Sequence, residues 1–535
     1  MSELGSFDYI VVGAGSAGCA VAARLSERAS VTVALIEAGP DNRTWKIDMP
    51  AMVADLVTGT KYNWAYKTEP EPFIGNRVVD IARGRVLGGS SSINGMVFTR
   101  GEPADFDEWA AAGCSGWAYK DVLPYFKRME TSTRGESRYR GGSGPLQVMV
   151  PPGKDKPINR AWMAAGREAG FAVVDDPNGA TQEGFGPSEQ SILKGVRSST
   201  ARAYLTEEVR RRPNLTILTG VEVDRLVMEG TRAVGVTGHR GGRAVTFRAE
   251  REIILSAGAA NSPKILMLSG IGDGARLADL GLPVVHHLPG VGQNLQDHPD
   301  VAVHYTCKDA KASLRHLMRF PRNVLIGMQW FANHTGFAAS NQFEAAAFVR
   351  TRPGLAKPNL KFELLPLAID PVSFKPYPMP SLEVHCALMC AESRGEIVLR
   401  SADPRNAPVI RMNFLKDEID RQSLREGVRL ARKVLGTRAF SDYAGDELEP
   451  GRDVDSDAAL DAWIDQRVMT SWHLAGSCKM GPGSDSSAVV GPDLKVHGVQ
   501  GLRVADASIM PVVVSANTNA ASIMIGDRAG DLVKE

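Results

Sequence analysis

Asp8-Tyr9-Ile10-Val11-Val12-Gly13-Ala14-Gly15-Ser16-Ala17-Gly18 decides the fold. Residues 8–12 form a short, β-branched apolar run, the pattern of a strand buried on both faces of a parallel sheet. Glycines follow at the spacing GxGxxG, and Cys19 to Leu25 continue with small and apolar residues suited to a helix. Val31 to Ile36 reads as a second buried strand ending on Glu37, which lies 37 − 18 = 19 positions beyond Gly18. Strand, glycine turn, helix, strand and acidic residue, in that order, make a dinucleotide-binding unit. The glycines tighten the turn and let backbone approach a pyrophosphate, whose charge meets the helix N-terminus. Glu37 suits ribose hydroxyls and disfavours a 2′-phosphate. The motif alone leaves NAD and FAD both open.

Working outward, further small-residue turns recur far apart in the chain. Arg83 to Gly95 (RGRVLGGSSSING) can lay backbone amides against a flat or anionic ligand. Ile253 to Pro263 repeats strand then small residues, Leu268 to Gly272 and Pro289 to Leu295 follow, and Gly501 to Ser508 gives one more strand and turn. Thr518 to Leu532 reads as a final helix, Glu418 to Leu435 as an amphipathic helix, and Ser381 to Met389 as a strand. The chain carries 54 glycines in 535 residues, above the usual ~7%. Their placement points to one extended cofactor gripped by several loops.

Composition removes other classes. With 62 basic against 61 acidic side chains, the net charge of +1 gives no argument for nucleic acid or an anionic membrane as partner. No apolar run reaches the ~18 residues of a membrane span, and the N-terminus lacks a signal-peptide pattern. The six cysteines show no CxxC pair or metal-ligand spacing, so reduced thiols in a soluble, cytoplasmic protein are expected. No metal is expected.

Four blocks in order carry a resemblance: the N-terminal fingerprint, Gly84 to Asn94, Gly258 to Gly272, and a C-terminal block. The last comprises Ser471-Trp472-His473-Leu474-Ala475-Gly476-Ser477-Cys478-Lys479-Met480-Gly481 and Gly501 through Asn519. The sequence resembles the glucose–methanol–choline (GMC) oxidoreductase family, flavoproteins that oxidise alcohols with FAD. The resemblance implies an α/β fold of two domains, a Rossmann-like FAD-binding domain in discontinuous segments and a substrate-binding domain whose antiparallel sheet is flanked by helices. The segments expected are 1–156, 195–300 and 466–535 for FAD, and 157–194 and 301–465 for substrate.

Composition singles out none of the ten histidines. The resemblance assigns His473 as the base that takes the substrate hydroxyl proton, typically worth ~10²–10⁴-fold in rate. The family's second catalytic position, histidine or asparagine, falls on Asn517, the asparagine variant seen in choline, hydroxymethylfurfural and polyethylene glycol branches. On its residues alone Asn517 would be a helix N-cap. Hydride then passes from the alcohol α-carbon to flavin N5, giving an aldehyde or ketone. The cofactor contacts implied are Gly13, Gly15, Ser16, Ala17, Gly18, Glu37, Ala38, Arg85, Gly88, Ser92, Asn94, Gly95, Met96, Val97, Val223, Ala257, Trp472, Asp506, Ala507, Asn517 and Thr518. Where some members carry a histidine bonded covalently to FAD, this chain has Ile93, so FAD is expected to be non-covalent.

The expected substrate is a small-molecule primary alcohol of the aryl, furanic or polyether kind, on the strength of Trp472-His473 with Asn517. Trp64, Trp330, Phe331, Phe337 and Phe343 are candidate pocket aromatics. Glu344 could face a cationic alcohol such as choline, but Phe343 to Phe348 reads equally as a routine strand or helix, so choline is not favoured. Dioxygen or a quinone-type acceptor would reoxidise the flavin. A hydroxynitrile lyase and, more remotely, a fatty-acid photodecarboxylase are the alternatives the same resemblance allows. The sequence does not specify the oligomeric state.

Overall fold

The computed structural model describes residues 2–370 and 373–534. Two seven-stranded sheets organise it. In the first, Ser2–Val12 lies between Val33–Glu37 and Arg243–Leu255, with Leu215–Thr219 outside Val33–Glu37; all these pairings are parallel. Leu502–Val504 adds in parallel to the C-terminal end of Arg243–Leu255. The N-terminal part of that long strand pairs antiparallel with Arg232–Arg240, which carries Val221–Glu229 at the edge. Ile10, Val11 and every residue of Val33–Glu37 are buried, as a sheet covered on both faces requires.

Helix Ser16–Leu25 leaves the first strand through the glycine turn and packs beside the final helix, Thr518–Leu532. Gly13 has φ +95°, and a Cβ on Gly18 would stand 1.9 Å from the Gly13 carbonyl oxygen. Only glycine allows both that turn and that helix–strand approach.

The second sheet is antiparallel throughout, in the order Ala444–Glu449, Pro299–Cys307, Ser381–Leu388, Leu360–Leu365, Ala345–Val349 and Gly184–Pro187. Met469–Thr470 pairs with the start of Pro299–Cys307. Helix Glu418–Leu435 buries Leu424, Val428, Ala431 and Val434, spaced three or four apart, and packs on Ser381–Leu388. Alternation along Leu360–Leu365 puts Phe362 and Leu364 in the apolar core and Lys361 and Glu363 on the other face. All six cysteines are free thiols. Among the described residues no helix is long and apolar enough to cross a membrane, and no group of His, Cys, Asp or Glu is placed to hold a metal ion.

Candidate active site

A cleft opens at the C-terminal ends of the parallel strands and runs to the polar face of Leu360–Leu365. Its wall draws on residues from Val12 to Ser522, the spread that an extended ligand gripped by several loops requires. Its wall includes Gly13, Gly15, Ser16, Ala17, Glu37, Ala38, Asn94, Gly95, Met96, Val97, Val223, Ala257, Trp472, His473, Asp506, Ala507, Asn517 and Thr518.

Four residues expected at the cofactor lie behind that wall. Gly18 is buried against Gly13, and Gly88 donates its N–H to the Ala14 carbonyl at 2.7 Å. Ser92 is wholly buried and donates to the Leu87 carbonyl at 2.7 Å. Arg85 pairs with Glu222 at 3.0 Å and lies over the Trp64 ring. These residues shape the loops that carry the wall. Of the candidate aromatics, Trp64 and Phe343 line the cleft. Trp330 is buried in a separate apolar cluster, Phe337 packs with Leu314 and Leu365, and Phe331 is exposed. Glu344 is held by Lys156 at 2.8 Å and Asn159 at 3.1 Å and is not on the wall, so it offers the cleft no charge.

One end of the cleft is built around Glu37. Its carboxylate accepts the Ala14 N–H at 3.0 Å and the Gly39 N–H at 2.8 Å. Burial outweighs these bonds and pushes its pKa up to about 7. Helices Ser16–Leu25 and Thr518–Leu532 both start at the cleft with no side-chain cap, leaving backbone N–H groups turned toward it. At Gly95 and Gly258 an added Cβ would meet no atom within 4 Å, so these wall positions face open space. The residues therefore fit an extended, anionic dinucleotide such as FAD.

At the other end stand His473 and Asn517. The Asn517 side chain does not cap its helix; Nδ2 lies 3.1 Å from His473 Nε2. Its orientation follows from the partners of Oδ1, which are the Lys361 ammonium at 2.7 Å and the Thr99 hydroxyl at 3.1 Å. An ammonium has donors only, so the amide must turn its oxygen to Lys361 and its N–H to the histidine. His473 Nε2 is then the acceptor, and the ring proton sits on Nδ1. His473 Nδ1 is 2.9 Å from His298 Nδ1, so it donates to His298.

Asp297 anchors the pair from behind, accepting the backbone N–H of His298 at 2.8 Å and of His473 at 2.7 Å, with the Thr470 hydroxyl on its other oxygen. Burial pushes the Asp297 carboxyl up to about 6. Burial first, and then the Lys361 ammonium, push His298 down to about 3. Burial, then His298, Lys361 and Arg83, holds the His473 imidazole well below the usual histidine range. Arg83, half-buried on the cleft wall, also donates to the Trp472 carbonyl, fixing the backbone just before the histidine. His473 is thus a neutral ring with an aimed lone pair, the form a general base requires. Sequence reasoning missed His298, Asp297, Lys361, Glu363 and Arg83. Only the Asp297-His298 doublet beside a glycine-rich turn offered a local signal.

The cleft thus joins a glycine-lined cradle suited to a dinucleotide to a neutral histidine paired with an asparagine. The chain belongs to the GMC oxidoreductase family: the family's N-terminal model matches residues 7–300 and its C-terminal model residues 391–526. It is 45% identical to the oxygen-dependent choline dehydrogenase of Ectopseudomonas mendocina, over 99% of this chain and 94% of that protein. Formate oxidase from Aspergillus oryzae RIB40, studied for FAD modification, superposes with a TM-score of 0.92 at 28% identity, covering 100% and 99% of the two chains. Pyridoxine 4-oxidase from Mesorbium loti gives a TM-score of 0.89 at 30% identity, over 98% of each chain. The protein is an FAD-dependent oxidoreductase acting on the CH–OH group of a small-molecule alcohol. The expectation of an aryl or furanic alcohol is corrected by these relatives, since the protein 45% identical over nearly the whole chain acts on choline. The lyase and photodecarboxylase alternatives gain no support from them.

Proposed function

We propose that His473 Nε2 takes the hydroxyl proton of a choline-class amino alcohol while the Asn517 amide N–H holds the alcohol oxygen. The observation that carries this reading is the 3.1 Å approach of Asn517 Nδ2 to His473 Nε2 on one wall of the cleft. A hydroxyl brought against both atoms, in exchange for their mutual hydrogen bond, donates to the ring and accepts from the amide, which presents its α-carbon to the cofactor in one orientation. FAD, when bound, supplies the two-electron acceptor for the hydride leaving that carbon. The His473 Nδ1–H bond to His298 shares the positive charge that forms as the ring takes its proton, and Asp297 holds both backbones in place.

The choline relatives support the substrate class, and so does the Glu363 carboxylate on the wall with Trp64, Phe343 and Trp472, side chains that suit a quaternary ammonium. A second reading, a neutral primary alcohol, is favoured by the Lys361 ammonium, which lies 2.5 Å from Glu363 and offsets its charge.

Glu37 is assigned to the adenosine ribose, Val223 to the adenine, Gly15 to Ala17 to the pyrophosphate, and Asn94 to Val97 with Thr518 to the flavin. Ile93 lines the cleft and cannot form a ring–histidine bond, which supports non-covalent FAD. The division into FAD segments 1–156, 195–300 and 466–535 and substrate segments 157–194 and 301–465 belongs to the same reading, as do a dioxygen or quinone-type acceptor and a cytoplasmic location, which the six free thiols support.

Holoenzyme mixed anaerobically with choline, pyridoxine and an aryl alcohol tests the reading through loss of visible flavin absorbance. Bleaching fastest with choline supports it. Bleaching by the neutral alcohols alone selects the second reading, and no bleaching by any of them sinks both. Yellow colour retained in an acid-precipitated pellet would contradict non-covalent FAD.

A further inference from the structure

Helix Arg322–Asn333 is apolar around most of its circumference, carrying Val324, Leu325, Ile326, Met328, Trp330, Phe331 and Ala332. Such a helix is normally buried. Here Trp330 alone is buried, seated by its Nε1–H on the Gly195 carbonyl at 2.8 Å and packed with Met49, Val196 and Ala338. Val324, Leu325, Met328 and Phe331, spaced one, three and three apart, form one outward stripe that is 48%, 58%, 62% and 57% exposed. Phe320, just before the helix, is 83% exposed, and the exposed Trp45 ring meets Phe331 edge-on at 5.4 Å. The stripe therefore continues onto neighbouring elements.

The charge of the segment is equally one-sided. From Ala310 to Phe343 there is no aspartate or glutamate, against Lys311, Arg315, Arg319 and Arg322. In a chain whose charges otherwise balance, this is a local basic field. Arg319 and Arg322 are exposed, and the polar contacts described for Arg315 and Arg319 run to the Tyr377 and Pro378 carbonyls, not to carboxylates. A second copy laid on this face about a two-fold axis would set these like charges against one another. An anionic surface with an apolar interior satisfies both features, with large apolar side chains entering the acyl boundary and arginines at the headgroups.

We propose that helix Arg322–Asn333 lies in the plane of an anionic phospholipid bilayer and docks the enzyme on it peripherally, with Phe320, Leu325, Met328 and Phe331 inserted and Arg319 and Arg322 on the headgroups.

The test is co-sedimentation of the FAD-loaded, full-length enzyme with vesicles of phosphatidylcholine alone and of phosphatidylcholine with phosphatidylglycerol. The enzyme is expected to pellet with the anionic vesicles, more weakly in high salt, and little with the neutral ones. Leu325→Gln with Phe331→Gln should abolish pelleting. Arg319→Gln with Arg322→Gln should weaken it by more than about tenfold. Both pairs should keep the flavin spectrum, because their side chains lie outside the cleft. Failure of the wild type to bind anionic vesicles overturns the proposal. So does binding that survives both double variants, or a change from dimer to monomer in light scattering that assigns the face to a second copy.

Discussion

Lys361 Nζ lies 2.7 Å from Asn517 Oδ1, and through that contact a lysine of the antiparallel sheet sets the orientation of the amide beside His473. The ammonium admits only the amide oxygen, the amide then presents N–H to His473 Nε2, and the ring proton is driven to Nδ1. Lys361 acts through its neighbours, as a positioning residue.

Replacing Lys361 with Met should therefore change a pH profile as well as a rate. The Lys361 charge is one of the causes that hold His473 below its usual range, after burial and His298. Without it the imidazole pKa rises, and since only the neutral ring accepts a proton, the acidic limb of kcat/KM moves to higher pH. The freed amide also rotates, and kcat/KM falls by up to about 10²-fold. Lys361→Arg should restore the limb. A profile unchanged in Lys361→Met would refute the role.

His473→Ala should slow flavin reduction by ~10²–10⁴-fold while FAD stays bound, because the ring acts on the proton and the cofactor is held elsewhere. Stopped-flow absorbance under nitrogen reads the rate, and protein-to-flavin absorbance reads the occupancy. Rapid bleaching by the variant would remove His473 from the chemistry.

Glu37 should make the apoprotein less stable as pH rises. Its folded pKa, raised from 4.5 to about 7, means the folded state holds a proton that the unfolded chain has released. Stability is thus fully present below about pH 4.5 and is lost as pH climbs through 7, by on the order of 3 kcal/mol. Asp297, raised from 3.8 to about 6, adds in the same direction. Thermal unfolding of flavin-free Glu37→Gln should show a flatter pH dependence than wild type. In the holoenzyme the same change should weaken FAD retention by about 10–100-fold, the loss of one charge-assisted hydrogen bond.

Gly89→Ala should yield protein poor in flavin. Gly89 has φ +52°, and an added Cβ would stand 2.7 Å from the Gly15 Cα, where the second loop closes on the first glycine turn. Side chains resist that φ and that approach together, so the two loops must part. Visible absorbance of the purified variant measures the result, and wild-type flavin content would count against it.

The frame was legible wherever one local pattern carries one meaning. The glycine turn at Gly13 to Gly18, helix Glu418–Leu435 and the final helix Thr518–Leu532 all stand where periodicity and spacing put them. The polar half of the site was not. Lys361 and Glu363 alternate with buried residues as any half-exposed strand does, and alternation separates two faces without telling which one meets solvent. His298 and Asp297 bear on His473 from more than 170 residues away, a proximity made by the pairing of Met469–Thr470 with Pro299–Cys307. Asn517 occupies the N-cap position its residue type suggests, yet its side chain is recruited by Lys361 and Thr99 instead.

That short pairing has a bearing on how the enzyme comes into being. His473 follows a strand of the antiparallel sheet, whereas Asn517 opens the helix packed beside Ser16–Leu25. The reactive pair is therefore a seam between two separately hydrogen-bonded sheets, and neither sheet alone contains it. A newly made chain gains this proton acceptor only once both sheets have closed on each other. Activity, on this architecture, certifies that the two sheets have closed on each other.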